Sequence, residues 1–125
     1  IELAGKKNFA GKIVIDATNP LSEAPPVNGI LSFFTTLNES LMERLQSALP
    51  EAKFVKAFNS VGSALMYKPD LKGQQPTMFI CGNDAKAKAL VTGILLQFGW
   101  ETEDMGSAEA GQLNHYVFYG VSRVF

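Results

Sequence analysis

The chain has 125 residues, of which 46% are hydrophobic and 18% are charged, and its formal net charge is −1. This length suits one domain with a substantial core, and the composition is typical of a globular protein. A net charge near zero without a basic run argues against a nucleic-acid partner. No apolar stretch approaches the roughly 20 residues that span a bilayer, so no membrane partner is predicted. The single cysteine excludes an internal disulfide, and we expect a soluble cytoplasmic protein.

The first strong structural signal is the apolar run in Lys12–Ala17, which follows a predicted helix tail and linker over residues 1–10. Its Ile-Val-Ile core predicts a strand buried on both faces, as in parallel sheets. Asn19-Pro20 ends the strand, because proline donates no hydrogen bond to a sheet.

A long loop and a helix are predicted next. The segment Leu21–Phe34 is rich in proline and glycine, and loops of this length are usually functional or mobile. The helix is predicted from about Asn38 to Ala48, with Glu39, Glu43 and Arg44 on a solvated face. Its apolar stripe is formed by leucines four residues apart, namely Leu37, Leu41, Leu45 and Leu49.

The second half of the chain continues the alternation of strands and helices. Strands are predicted at Ala52–Phe58 and Thr77–Cys81, and a short, half-polar edge strand at Trp100–Asp104. Between the last two, a helix capped by Asn83 or Asp84 runs to Phe98, with Val91, Ile94, Leu95 and Phe98 on its apolar face. This order predicts an α/β protein with a parallel sheet and flanking helices.

Small or polar residues follow each predicted strand. These strand ends are Thr18-Asn19, Asn59-Ser60, Gly82-Asn83-Asp84 and Gly106-Ser107. Parallel strands bring them to one edge of the sheet, where open α/β proteins bind ligands. The amides of Asn19 and Asn59 suit a ribose or a carboxamide. The alternative is that these residues only form turns, and a helix cap explains Asn83 and Asp84.

The sequence offers no candidate for acid–base, nucleophilic or metal chemistry. His115, the only histidine, has no acidic residue near it in sequence, and Cys81 lies at the end of a buried strand. No serine has the G-x-S-x-G context of a hydrolase, and no second ligand stands at metal spacing from Cys81. We therefore predict neither a catalytic residue nor a metal site.

Ordered motifs identify a resemblance that covers about residues 11–110. They are GKIVIDATNPL (Gly11–Leu21), VKAFNS (Val55–Ser60), PTMFICGND (Pro76–Asp84) and DMG (Asp104–Gly106). Together they resemble the NADP-dependent oxidoreductases of the deazaflavin-coenzyme-dependent family. The cytosolic reductase domains of the six-transmembrane metalloreductases are similar.

The resemblance implies a Rossmann-like domain that transfers a hydride between the nicotinamide of NADP and a deazaflavin-like or other small acceptor. No G-x-G-x-x-G is present, so residues 1–125 are expected to be the C-terminal part of one NAD(P)-binding domain, without its N-terminal phosphate-binding half. The implied cofactor-binding residues are Thr18, Asn19, Pro20, Ala57, Phe58 and Asn59. The implied acceptor-binding residues are Asn59, Ser60, Met105 and Gly106.

Two further expectations concern the ends of the resemblance. The family usually continues into a helix with an arginine and a Glu-Pro-Leu segment that contributes to the acceptor pocket and often to a dimer. Gly111–His115 stands there instead. A homodimer and a non-catalytic NAD(P)-binding or sensor module therefore remain alternatives. The strand Lys12–Ala17 would lack its Rossmann neighbour, so we predict an edge that pairs with another chain or with a segment outside this sequence.

Overall fold

The computed structural model of the protein describes residues 1–28, 30–36 and 38–113. The strands within them are β1 (Ile13–Asp16), β2 (Lys53–Lys56), β3 (Thr77–Ile80) and β4 (Glu101–Asp104). The α-helices are α1 (Leu41–Ala48) and α2 (Ala85–Gln97), and short 3-10 helices form at Lys6–Phe9, Ser63–Leu65 and Ala108–Ala110. The predicted strands and both α-helices are therefore confirmed in the predicted order, each slightly shorter than expected.

The strands form two parallel pairs with flanking helices. β1 pairs with β2, with Ile13 opposite Lys53, and β3 pairs with β4, with Thr77 opposite Glu101. The pairs meet where the Lys56 amide donates a 2.9 Å hydrogen bond to the Cys81 carbonyl oxygen. The predicted α/β class is thus confirmed, and each pair brings its carboxyl ends together.

The burial of β1 differs from the prediction. Within the described residues β1 pairs only with β2, so its other edge is uncovered there. Ile13 is 37% exposed, and Val14 and Ile15 are half-buried. Val14 and Ile15 pack against different core clusters, on opposite faces of the strand, but no described strand pairs with the second edge of β1, and the run is only partly buried. Full burial of the Ile-Val-Ile run was therefore wrong for these residues, whereas pairing of this second edge with another chain or with a segment outside this sequence stays a prediction.

Helix α2 follows the predicted pattern. Asp84 is its N-cap and accepts a 2.7 Å hydrogen bond from the Ala87 amide. Val91 and Leu95 are fully buried in a core with Met78, Ile80 and Trp100, while Ile94 and Phe98 are half-buried. Gly99 ends the helix with a φ of 91°.

The apolar face of α1 is displaced from the predicted leucine stripe. Met42 is fully buried and contacts the cluster that holds Leu45 and Leu49, while Leu41 is only half-buried. Leu37 lies outside the described residues. An α-helix has 3.6 residues per turn, so side chains stay on one face when spacings of three and four residues alternate, and they drift off it when every spacing is four.

The predicted loop after β1 folds back on itself. Leu21 pairs with Phe33 and Val27 with Ile30 in isolated antiparallel bridges. Val27, Ile30 and Phe34 keep half or more of their surface exposed. The segment thus carries apolar side chains directly after the end of β1.

The N-terminus of α1 is a capping box. Ser40 Oγ accepts from the Glu43 amide at 3.1 Å, and Glu43 Oε2 accepts from the Ser40 amide at 2.6 Å. Burial raises the pKa of Glu43, but hydrogen bonds from Ser40 and from Gln112 outweigh it, and the pKa is lowered. Glu43 therefore completes the cap while its side chain stays partly exposed, and Glu39 and Arg44 form an ion pair at the surface.

Replacing the cap tests this arrangement. Ser40→Ala removes the buried hydroxyl that satisfies the Glu43 amide, and we expect a loss of about 1 kcal/mol in the free energy of unfolding. Urea denaturation measures it. Ser47→Ala, at an exposed position of the same helix, is the control and should change stability little. Equal effects of both substitutions would argue against the cap.

Candidate functional site

The end of β1 is organised by the carboxylate of Asp16. Asp16 Oδ1 accepts a 3.0 Å hydrogen bond from the Thr18 amide and a 2.6 Å bond from the Thr18 hydroxyl. Asp16 is 4% exposed, whereas Thr18 is exposed. The buried carboxylate thus fixes an exposed turn, as aspartate side chains often do two residues ahead.

A buried lysine ties this turn to the neighbouring strand. Lys56 Nζ donates to Asp16 Oδ2 at 2.7 Å and to the Thr18 carbonyl oxygen at 2.8 Å. Lys56 has no exposed surface. A buried ammonium is tolerated only when it is paired and hydrogen-bonded, and here one carboxylate and one carbonyl provide that pairing.

The two strand-end asparagines lie against each other. Asn19 Nδ2 donates to the Asn59 carbonyl oxygen at 2.8 Å, and Asn59 Nδ2 donates to Asn19 Oδ1 at 3.3 Å. Asn19 is half-buried and Asn59 is 4% exposed, while Pro20 is buried beside them. The structure thus joins the two turns that the sequence placed at one sheet edge, and part of each amide's hydrogen bonding is used to hold them together.

The residues before Asn59 face the core. Ala57 is fully buried, and Phe58 is 7% exposed with its ring 6.1 Å from that of Phe98. Phe58 has a φ of 66°, in the left-handed region that bulky residues rarely adopt. Its amide donates to Met78 Sδ at 3.2 Å. Strain of this kind persists where the surroundings fix it, and functional sites are common among such places.

Met105 and Gly106 belong to a second cluster, at the ends of β3 and β4. The Met105 amide donates to the Ile80 carbonyl at 2.8 Å, and Gly106 accepts from the Gly82 amide at 3.0 Å. Lys88 Nζ donates to Gly106 at 3.1 Å and to Asp104 at 2.9 Å. This cluster connects to the first through the hydrogen bond between β2 and Cys81.

Charge at this second cluster is balanced locally. Burial raises the pKa of Asp104, but hydrogen bonding and attraction to Lys88 outweigh burial and lower it. Asn83 Oδ1 accepts from the Ala108 amide at 2.9 Å, and Asp84 caps α2. Asp84 therefore has the helix-cap role that the sequence suggested as its alternative, whereas Asn83 instead binds the backbone of the last 3-10 helix. Ser60, the remaining predicted site residue, is half-buried directly after Asn59.

Asp16 and Lys56 are the site residues that sequence reasoning missed. They lie opposite each other in the parallel register of β1 and β2. A charged residue near the end of each of two apolar strands is the signal that could have identified them, since buried charges are found in pairs. The pairing itself depends on register, which the sequence does not give.

One cavity and the thiol lie apart from this site. The cavity, of about 250 Å³, lies near the opposite ends of β1 and β2 and is lined by residues 48–52 together with Lys6, Lys7, Phe9 and Ala10. Burial raises the pKa of Cys81 to about 11, and its Sγ lies 3.7 Å from Met42 Sδ, so the thiol is a core group. Over the described ranges, no three potential metal ligands come together and no helix is long and apolar enough to span a membrane. His115 lies outside these ranges.

Comparison with known proteins gives a consistent set of relatives. No protein-family model matches the chain. It is 30% identical over 109 residues to the F420-dependent NADP reductase of Methanocaldococcus jannaschii. The aligned region covers 86% of this chain and 48% of that protein. It is 29% identical over 99 residues to the metalloreductase STEAP3 of Rattus norvegicus, and the aligned region covers 79% of this chain and 18% of that protein.

Solved structures agree with these sequence matches. A candidate F420-dependent NADP reductase from Arthrobacter sp. FB24 superposes with a TM-score of 0.89 at 32% identity, over 97% of this chain and 55% of that one. A hypothetical protein from Sinorhizobium meliloti gives a TM-score of 0.60 at 28% identity, over 82% and 49%. The chain spans about half the length of the F420-dependent NADP reductase it matches, and less of the metalloreductase.

Proposed function

We propose that this chain is related to the F420-dependent NADP reductases and forms part of an NADP-dependent oxidoreductase. Its share of the cofactor site is the wall beside the nicotinamide end. The observation that carries the proposal is the joined pair of turns formed by Thr18–Pro20 and Ala57–Asn59 at the carboxyl ends of β1 and β2. That is where open α/β sheets bind nucleotides.

The groups at this edge suit the neutral end of the cofactor. The Thr18 hydroxyl and the Asn19 amide are uncharged hydrogen-bonding groups, and the nearby charges of Asp16 and Lys56 are paired in the interior. A carboxamide and a ribose need such groups, whereas a pyrophosphate needs a glycine-rich turn or a helix N-terminus. The chain has no G-x-G-x-x-G turn, which supports assigning it the nicotinamide end only.

Positioning is the task that the chain's own residues would perform. NADPH, when bound, would supply the hydride, and the protein must hold the donor carbon against the acceptor. The buried Ala57 and Phe58 would offer backbone atoms behind the ring. Ser60, Met105 and Gly106 would border a small acceptor such as a deazaflavin. No titrating base is required for this transfer.

A non-catalytic NAD(P)-binding or sensor module is the second candidate. The observation that favours it is the mutual hydrogen bonding of Asn19 and Asn59, which needs no ligand. Loss of NADPH absorbance on adding a deazaflavin, a flavin or a ferric chelate separates the candidates. Turnover with any of these acceptors supports the oxidoreductase, whereas NADPH binding without turnover supports the module.

Asn59→Ala tests the site directly. Asn59 joins the two turns, so the variant should weaken hydride transfer or NADPH binding by about 1–3 kcal/mol while the protein stays folded. Steady-state kinetics and calorimetric titration measure the change, and circular dichroism checks the fold. Asn38→Ala, an exposed amide before α1, is the matched control. Unchanged turnover and affinity in Asn59→Ala would remove Asn59 from the site.

A further inference from the structure

We infer that the buried Asp16–Lys56 pair fixes the Thr18 hydroxyl as a hydrogen-bond acceptor for the ligand, so that Thr18 selects a ligand group that donates. The inference deepens the proposed function and rests on it. The donating group would be the carboxamide NH₂ or a ribose hydroxyl of NADP. Asp16 and Lys56 are positioning residues here, and Thr18 is the group that would touch the cofactor.

The hydrogen bond between Thr18 and Asp16 has a fixed direction. A hydroxyl has one hydrogen to donate and two lone pairs to accept with. The Thr18 hydroxyl donates to Asp16 Oδ1 at 2.6 Å, because a carboxylate paired with an ammonium can only accept. Its hydrogen is thereby used inside the protein, and its lone pairs remain at an exposed residue.

Lys56 holds the same turn through its backbone. Its ammonium binds both Asp16 Oδ2 and the Thr18 carbonyl oxygen, at 2.7 and 2.8 Å. The backbone and the side chain of Thr18 are therefore both attached to one buried ion pair. Neither the turn nor the hydroxyl can rotate without breaking a charged hydrogen bond.

An apolar pair at positions 16 and 56 could not orient Thr18. Well-packed apolar residues often stabilise a protein as well as a buried ion pair does. Such residues at positions 16 and 56 would fill the space, but they would neither bind the Thr18 carbonyl nor accept from its hydroxyl. Orientation of Thr18 is thus the consequence of this pair that packing alone does not supply.

A double-mutant cycle in the protein that contains this chain tests the inference. Thr18→Val should weaken NADPH binding about tenfold, the value of one hydrogen bond, and Thr18→Ser should restore it. Asp16→Asn frees the hydroxyl to rotate and should also weaken binding. In the Thr18→Val background, Asp16→Asn should weaken binding by a smaller factor than in the unaltered protein, since the part of its effect that acts through the hydroxyl is already lost, while its contacts with the Thr18 amide and Lys56 remain in both backgrounds.

The outcomes separate the inference from the function on which it rests. Thr92→Val, on α2, is the control threonine, and circular dichroism checks that each variant is folded. If the unaltered protein binds no NADPH, the proposed function fails and the inference fails with it. If it binds NADPH and Thr18→Val or the cycle shows no coupling, only the inference is overturned. Loss in Thr18→Val without rescue by Thr18→Ser would also overturn it.

Discussion

Lys56→Met is expected to lower the free energy of unfolding by about 3–5 kcal/mol, because it leaves the buried Asp16 carboxylate without its cation. The methionine matches the length of the lysine side chain, so lost packing contributes little. Denaturant unfolding followed by circular dichroism measures the effect. A loss of this size is a large part of the stability of a small domain.

Lys88→Met is the matched control for this expectation. Lys88 Nζ lies 2.8 Å from Asp104, a distance similar to that of the buried pair, but the two side chains are 16% and 51% exposed, against 0% and 2% for Lys56 and Asp16. A pair with a solvent-exposed carboxylate contributes about 0–1 kcal/mol, so this variant should lose much less stability than Lys56→Met. Equal losses of unfolding free energy in the two variants would contradict the claim that burial makes the Asp16–Lys56 pair important for stability.

Gly82→Ala is expected to destabilise the protein by about 3 kcal/mol through a backbone collision. A Cβ at position 82 would lie 2.5 Å from the Phe54 carbonyl oxygen and 3.4 Å from Val55 Cα. Both neighbours are backbone atoms of β2, so no side chain can move aside. The two strand pairs would have to separate where they meet, and thermal or urea unfolding would record the loss.

Gly93→Ala provides the control with the opposite sign. Gly93 lies in α2 with nothing within 4 Å of an added Cβ. Alanine in an exposed helix interior should raise the free energy of unfolding by about 0.5–1 kcal/mol, since glycine loses more conformational freedom on folding. A Gly82→Ala variant as stable as Gly93→Ala would show that β2 and β3 can separate at little cost.

The chain matches part of each of its relatives. The fold agreement with the Arthrobacter protein covers nearly all of this chain and about half of that one. The comparison therefore supports the geometry of the strand ends more strongly than the identity of the acceptor. Turnover measurements with different acceptor classes address that second question.

Local patterns in the sequence were sufficient for the order and type of the elements. Apolar runs followed by Asn-Pro or Gly gave the strands, and the Val91–Phe98 face and Gly99 gave α2 and its end. The strand-end asparagines could be placed at one edge because parallel strands share a direction. These features depend on residues close together in the chain, so one sequence contains the information for them.

Contacts between distant residues could be decided only by the tertiary structure. Asp16 and Lys56 are forty positions apart in the chain, and only the register of β1 and β2 sets them opposite each other as the buried ion pair of the candidate site. The lack of a described strand on its second edge left β1 less buried than its composition suggested, and packing of α1 placed Met42 inward instead of Leu41. Composition and periodicity set what a segment prefers, but burial and pairing depend on which other segments fold against it.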